Sequence, residues 1–168
     1  MKNAISFQGE LGSYSHQACL DLYSNHSVVP CPTFELAIDS VNNGSSQLAM
    51  LPIENSTYGR VADIHSLLPE SGLIIIKEYL LRVRINLLAL PGSSLDQIKS
   101  AISHTVLLGQ CQNFLQRNLI TSIVGPDTAG SAKKVAASND QTVAALASEL
   151  SGEIYGLQSL ASDIEDMN

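Results

Sequence analysis

Short apolar runs that end abruptly in polar residues recur along this chain. The clearest covers residues 48–53, which are too few and too uniformly apolar for an amphipathic helix and therefore predict a strand. A polar cluster follows directly: Glu54, Asn55, Ser56 and Thr57. Apolar residues then recur at helical spacing: Val61, Ile64, Leu67 and Leu68. The pattern predicts that the polar cluster lies where a strand gives way to a helix.

Strand and helix patterns alternate over the rest of the chain. Strands are predicted at Ala4–Gln8, at Val28 and Val29, at 101–103 and at Thr121–Val124. Helices are predicted from Ser13 or Ser15 to about Tyr23, from Thr33 to about Gly44, up to Pro69, at 94–98, around Leu108, Cys111 and Leu115, after Asp127, and beyond 142–145 to about Leu157. This order favours an α/β fold with mainly parallel strands.

Residues 73–90 are almost continuously apolar. Towards Ala89 the apolar positions alternate with Arg82, Arg84 and Asn86, which predicts one long strand or two strands joined end to end. A strand of that length can pass from one lobe into another, and Pro91 and Gly92 would close it with a turn. We therefore expect lobe 1 at residues 1–78, lobe 2 at 79–160 and the start of a return to lobe 1 at 161–168.

Four loops offer hydroxyl or amide groups near a predicted helix start: 12–15, 55–59, 103–110 and 127–131. The unpaired N–H groups and the positive dipole end of a helix start favour an anion. Ligands of open α/β sheets bind beyond the carboxyl ends of the strands. The loops could therefore share one anion-binding cleft between lobes, although helix caps alone would produce the same pattern.

Composition excludes several classes of function. A formal net charge of −7, with only nine Lys and Arg, argues against a nucleic-acid partner. The cysteines Cys19, Cys31 and Cys111 are odd in number and far apart, which indicates reduced thiols rather than disulfides or a zinc site. Neither a G-x-G-x-x-G nor a P-loop motif is present, and the histidines lack metal-ligand spacing, so we expect no cofactor and no metal.

Neither a signal-peptide pattern nor an apolar run of 18 residues is present, which favours a cytoplasmic protein that makes no use of a membrane. Glu54 is the one carboxylate that we expect to take part in chemistry. A carboxylate partly withdrawn from water can hold and transfer a proton. The alternative is that Glu54 only complements the dipole of a helix start.

Four motifs taken together resemble the catalytic domain of the prephenate dehydratase family. They lie at 7–16, at 52–61, at Ser103-His104 with Gln110-Cys111, and at 127–132, and they spread over almost the whole chain. The resemblance implies a two-lobed α/β fold like that of type II periplasmic binding proteins, with the active site in the cleft, and a homodimer or larger assembly. It also implies conversion of prephenate to phenylpyruvate, water and carbon dioxide in phenylalanine biosynthesis. Arogenate dehydration and a non-catalytic anion-binding module are the alternatives.

The resemblance also implies which residues form the site. The implied catalytic residues are Glu54, Asn55, Ser103 and Gln110. The implied substrate-binding residues are Ser13, Tyr14, Ser56, Thr57, Thr128 and Ala129. Prephenate carries two carboxylates, which neutral donors and helix ends can orient without a basic patch.

Two parts of the family pattern are not among the 168 residues. One is a Thr-Arg-Phe motif, whose threonine the family is thought to use as a proton donor. The other is the regulatory phenylalanine-binding ACT domain that commonly follows. We therefore expect impaired catalysis from this chain.

Overall fold

The computed structural model describes residues 3–166, whose contacts divide them into two compact units. Unit 1 runs through Glu10 and then from Tyr14 to Leu81. Unit 2 contains Leu11–Ser13 and the chain from Arg82 onward. The sequence-based division after residue 78 did not assign residues 11–13 to the second unit.

Unit 1 is built on three parallel strands in the order β2-β1-β3. The strands are β1 (Ala4–Gln8), β2 (Ser27–Cys31) and β3 (Leu48–Met50). Central strand β1 is the most buried, and its Ile5 and Phe7 pack on Cys19 to form the core. Pro30 lies in edge strand β2, where a missing N–H is tolerated because one side of the strand is unpaired.

Three helices accompany this sheet: α1 (Tyr14–Leu22), α2 (Phe34–Asn42) and α3 (Ala62–Leu67). The N-cap of α2 is Thr33, whose Oγ1 accepts a hydrogen bond from the Leu36 N–H at 3.3 Å. A 3₁₀ turn, Leu68–Glu70, continues α3. The predicted start of α2 at Thr33 is therefore confirmed.

The polar cluster after residue 53 lies in a hairpin and not at a helix start. Strand β3 ends at Met50, and the short strands β4 (Glu54–Asn55) and β5 (Gly59–Arg60) pair antiparallel. Helix α3 follows only after this hairpin, and its N-cap, Val61, makes no side-chain hydrogen bond. The predicted strand-to-helix junction is wrong, and so is helix capping by Ser56 or Thr57, because the chain reverses direction before the helix begins.

The prediction of one long strand, or of two strands joined end to end, over residues 73–90 is wrong except near its end. Only β6 (Asn86–Ala89) is a strand, and residues 72–85 pair with no strand among the described residues. Ile74 and Leu80 are 83% and 86% exposed. The alternating pattern gives this segment strand propensity, but a strand also needs a neighbour to pair with.

Unit 2 contains a mixed five-stranded sheet in the order β10-β6-β9-β7-β8. Besides β6, its strands are β7 (Ser100–Ser103), β8 (Thr121–Val124), β9 (Val143–Ala147) and β10 (Gln158–Ala161). Strand β7 runs parallel to β8 and β9, whereas β6 runs antiparallel to β9 and β10. Four of the seven strand pairings described are parallel, which confirms the α/β prediction.

The described part of unit 2 has four helices: α4 (Thr105–Gln110), α5 (Gln112–Arg117), α6 (Thr128–Ser138) and α7 (Glu149–Tyr155). A 3₁₀ turn, Leu95–Gln97, precedes β7. The core brings Leu88, Ile102, Val135 and Leu157 together. The last helix was predicted to reach about Leu157, but it ends at Tyr155, where Gly156 adopts φ +68°. The sequence therefore missed strand β10.

Candidate active site

Three neighbouring strands of unit 2 end at one edge of the sheet. Strands β8, β7 and β9 run parallel, and the register pairs Ser103, the last residue of β7, with Val124, the last residue of β8. Helices α4, α6 and α7 each begin just beyond this edge, with N-caps His104, Asp127 and Ser148. This is the edge at which open α/β sheets bind ligands. We call it the carboxyl edge of unit 2.

Ser103 lies at the carboxyl edge but is fully buried. Its Oγ donates a hydrogen bond to the carbonyl oxygen of Leu146 in β9 at 2.7 Å. This bond links the carboxyl ends of two adjacent strands. Because its hydrogen is donated to the sheet, the buried Ser103 hydroxyl keeps only acceptor lone pairs.

Gln110 is the last residue of α4, and its side-chain Oε1 is buried with no hydrogen-bond partner among residues 3–166. Its backbone carbonyl accepts a hydrogen bond from the Asp166 N–H at 2.6 Å. Buried polar atoms are nearly always paired, because an unpaired one loses its hydration without compensation. The Gln110 amide therefore has an unused acceptor in a partly buried site.

Helix α6 starts at Thr128 with a strong cap. Asp127 Oδ1 accepts a hydrogen bond from the Gly130 N–H at 2.5 Å, and Ser131 Oγ donates to the Asp127 carbonyl at 2.5 Å. A Cβ at Gly130 would lie 2.6 Å from Asp127 Oδ2, so a side chain there would displace the capping carboxylate. Thr128 is partly exposed in the first turn, whereas Ala129 is fully buried. Of these two predicted binding residues, only Thr128 offers its side chain to a ligand.

The loop Leu11–Ser13, which carries the predicted binding residue Ser13, is docked on α7. Ser148 Oγ and Ser151 Oγ both donate to the Gly12 carbonyl, at 2.5 and 2.9 Å. Ser148 is also the N-cap of α7 at the carboxyl edge. Ser13 therefore belongs to the same unit and the same edge as Ser103 and Thr128. Ser148 lies in none of the four sequence motifs, although a serine directly after an apolar strand is a typical helix cap.

In unit 1 the predicted residue Asn55 shapes the β4–β5 hairpin. Its Oδ1 accepts hydrogen bonds from the N–H groups of Thr57 and Tyr58, at 2.9 and 3.1 Å. An asparagine that bonds to the backbone two and three residues ahead forms an Asx turn. The same side chain keeps an Nδ2 amide, which has no partner among the described residues. Asn55 can therefore hold the turn and donate to a ligand at once.

The other residues predicted in unit 1 are less buried. Glu54, Ser56 and Thr57 are exposed on the hairpin, and Tyr14 opens α1 and is partly exposed. Glu54 lacks the burial on which its expected role as a proton carrier depended.

Two titratable side chains of the sequence motifs, Cys111 and His16, are buried and held in their neutral forms. Burial, together with the nearby carboxylates of Asp166 and Glu165, raises the pKa of the Cys111 thiol to about 12. Burial lowers the pKa of His16, whose ring stacks on Phe7 with centroids 5.4 Å apart. At neutral pH both groups are neutral and structural.

None of the predicted site residues is among those that line the following two cavities, one in each unit. Unit 1 has a cavity of about 350 Å³ with a mainly apolar lining: Ile53, Ile64, His65, Leu68, Pro69, Leu73 and Ile75. Unit 2 has an open depression of about 710 Å³ near its acidic end, lined by residues 161–166 and by Asn113, Phe114, Gln116 and Arg117. Residues 3–166 contain no cluster of His, Cys, Asp or Glu able to hold a metal ion. None of the helices they form is long and apolar enough to cross a membrane.

Comparison with known proteins gives a consistent result. A bifunctional N-acyl-homoserine lactone acylase/prephenate dehydratase from Komagataeibacter europaeus is 40% identical over 96% of this chain and 58% of its own length. Arogenate dehydratase/prephenate dehydratase 2 of Arabidopsis thaliana is 38% identical over 96% of this chain and 42% of its own length. The chain thus spans about half the length of the curated relatives it matches.

Two solved structures are also similar to this chain. The quorum quenching acylase GqqA superposes with a TM-score of 0.92 at 40% identity, over 98% of this chain and 60% of that one. The prephenate dehydratase of Arthrobacter aurescens, solved in complex with L-Phe, superposes with a TM-score of 0.90 at 28% identity, over 98% of this chain and 56% of that one. The prephenate dehydratase family model matches residues 5–168, and the chain therefore belongs to the prephenate dehydratase family.

Proposed function

We propose that this chain is the catalytic part of a prephenate dehydratase, which converts prephenate to phenylpyruvate, water and carbon dioxide. The family match over residues 5–168 carries the proposal. Loss of the ring carboxylate and of the para hydroxyl is driven by aromatisation. The protein therefore has to orient a dianion and protonate the leaving hydroxyl. Neutral donors suit this task in a chain with few cations.

The direct test is to incubate the purified chain with prephenate and to follow the absorbance of phenylpyruvate. A second sample should carry the C-terminal extension of a relative that includes the Thr-Arg-Phe motif. If that threonine donates the proton, the extended form is expected to be about 10²–10⁴ times faster, the range for one general acid. Prephenate binding without turnover in both forms would instead support the non-catalytic binding module.

Gln110 is proposed to contact the substrate, because its buried Oε1 has no partner among residues 3–166. Methionine has a shape similar to that of glutamine but lacks the amide. We expect Gln110→Met to lower kcat/KM by about tenfold or more. The free energy of unfolding should stay the same or rise, because the change removes an unpaired buried polar atom. If the free energy of unfolding falls by as much as the free energy that corresponds to the loss of kcat/KM, Gln110 is only structural.

Asn55 is proposed to donate its Nδ2 amide to a substrate carboxylate. Asn55→Asp keeps the oxygen that holds the Asx turn but replaces the donor with a charge that repels the dianion. Asn55→Ala removes both groups. Calorimetry should show weaker prephenate binding in both variants. If Asn55→Asp binds as well as the unmodified chain, the role of Asn55 is confined to the turn.

Glu54, Ser103, Ser13, Tyr14, Ser56, Thr57, Thr128 and Ala129 remain proposals from the resemblance. Among them, the burial of Ala129 and the donated hydrogen of Ser103 favour roles through the backbone or through acceptor lone pairs. A homodimer and a cytoplasmic location also remain predictions. Sedimentation of the purified chain tests the first of these.

The names of the relatives supply two further substrates. Several relatives are named arogenate dehydratases, and one is named as a bifunctional N-acyl-homoserine lactone acylase. The same assay should therefore include arogenate and an N-acyl-homoserine lactone beside prephenate. The substrate with the highest kcat/KM identifies the reaction.

A further inference from the structure

Three hydroxyl groups line one face of helix α7. Ser148, Ser151 and Tyr155 are three and four residues apart, a spacing that places them on the same side of a helix. All three donate to the loop Leu11–Ser13. The serines donate to the Gly12 carbonyl at 2.5 and 2.9 Å, and Tyr155 Oη donates to the Leu11 carbonyl at 2.8 Å. We call these three side chains the hydroxyl face.

The two serines of the hydroxyl face make a close and buried contact with the loop, whereas the bond from Tyr155 to Leu11 is exposed. Ser148 is 4% exposed, Ser151 is 0% exposed, and Gly12 is buried. A Cβ at Gly12 would lie 2.6 Å from Ser151 Oγ and 2.9 Å from Ser151 Cα, and Gly12 has φ +91°. Both the approach and the backbone conformation therefore require glycine. Three hydroxyls on two successive carbonyls fix the orientation of two successive peptide planes.

We propose that Ser151 and Tyr155, together with the cap residue Ser148, are positioning residues for substrate binding by the loop that carries Ser13. This inference rests on the proposed function, which places Ser13 against the substrate. Peptide planes are rigid, so fixing the carbonyls of residues 11 and 12 also fixes the direction from which Ser13 leaves the loop. A loop ordered before the substrate arrives loses less conformational entropy on binding.

Tyr155→Phe and Ser151→Ala test this role best. Tyr155→Phe removes one hydroxyl and keeps the ring, which packs against the core of unit 2. Ser151→Ala removes one donor to the Gly12 carbonyl and leaves the Ser148 cap in place. Matched controls are Tyr79→Phe, which loses a 2.9 Å bond to Asp21 in unit 1, and Ser138→Ala, which loses a 2.8 Å bond at the end of α6.

Hydrogen exchange measures whether the hydroxyl face holds the loop, and steady-state kinetics measure whether this affects substrate binding. Hydrogen exchange should accelerate at the backbone amides of residues 11–13 in the two test variants and stay unchanged in the controls. In whichever form turns over prephenate, KM should rise about threefold to tenfold, as the loss of one or two hydrogen bonds allows, while kcat changes less than twofold. The urea midpoint of unfolding should be the same in the test variants as in the controls, so that a loss of stability does not account for the change in KM.

Three outcomes overturn the proposal. Unchanged exchange at residues 11–13 would show that the hydroxyl face does not hold the loop. Faster exchange with an unchanged KM would show that the loop is held for structural reasons alone, and a fall in kcat with a constant KM would exclude a role in binding. If the unmodified chain neither binds nor converts prephenate, the proposed function fails, and with it the role in substrate binding. Exchange then still decides whether the loop is held.

Discussion

At the scale of single residues, His16 couples the stability of unit 1 to pH. It is 6% exposed and stacks on Phe7, a central residue of the unit 1 core. Burial lowers its pKa below the ordinary value of 6.5, because the charged form loses hydration. The unfolded chain therefore binds the proton more readily than the folded chain. Stability rises with pH through the interval between the two pKa values and is lost as the pH falls through it.

We predict that His16→Phe removes this part of the pH dependence. The variant keeps an aromatic ring next to Phe7 but cannot be protonated. Urea unfolding across pH 5–8 measures the free energy at each pH, and the difference between the two proteins isolates the contribution of His16. His65→Gln, a change at an exposed histidine, should leave the dependence intact. Parallel curves for His16→Phe and the unmodified chain would place the pH dependence elsewhere.

At the scale of elements, the cap of α6 fixes one side of the carboxyl edge. Asp127 Oδ1 holds the Gly130 N–H, and the helix behind it places Ala132 and Val135 in the core of unit 2. Substituting an N-cap aspartate by alanine typically costs about 0.5–2 kcal/mol, because a first-turn N–H loses its acceptor. The cap therefore links the sequence of one loop to the stability of a buried helix.

We predict that Asp127→Ala lowers the free energy of unfolding by about 1–2 kcal/mol, measured in urea. Asp127→Asn should retain most of the stability, because its side-chain oxygen can accept the same hydrogen bond. An equal loss in both variants would show that the negative charge at the helix start matters more than the hydrogen bond.

The elements that the sequence predicted correctly are those whose signal is local. Strands β1 and β8 were predicted to the residue, and the caps Thr33 and Asp127 mark helix starts through their own side chains. The elements that the sequence failed to predict depend on pairing between strands. Strands β4 and β5 exist because Glu54 and Asn55 meet Gly59 and Arg60 across a turn, which apolar periodicity does not encode.

The same distinction applies to the candidate site. The motifs located Ser103 and Gln110, but only the structure reveals that one donates its hydroxyl to Leu146 while the other has an unpaired oxygen. The docking of residues 11–13 on α7 joins groups more than 130 positions apart. A sequence without pairing information cannot predict such a contact.

At the scale of the whole molecule, the exposed apolar segment from Ile74 to Leu80 opposes solubility. Ile74, Ile75 and Ile76 are 83%, 70% and 63% exposed, and Leu80 is 86% exposed. Consecutive β-branched residues without a ladder partner favour edge-to-edge pairing with another chain. The formal net charge of −7 acts in the opposite direction, because it makes copies of the chain repel one another.

We predict that Ile74→Glu and Leu80→Glu together reduce self-association, measured by light scattering and sedimentation at increasing protein concentration. Both side chains are on the surface, so the free energy of unfolding should change by no more than about 0.5 kcal/mol. Both changes also increase the negative charge. Ile64→Glu, at a fully buried position, should unfold unit 1 and serves as the contrasting control. Unchanged association in the double variant would assign the contact to another exposed apolar residue, such as Leu119, which is 88% exposed. Charge repulsion alone would then not be enough to separate the copies.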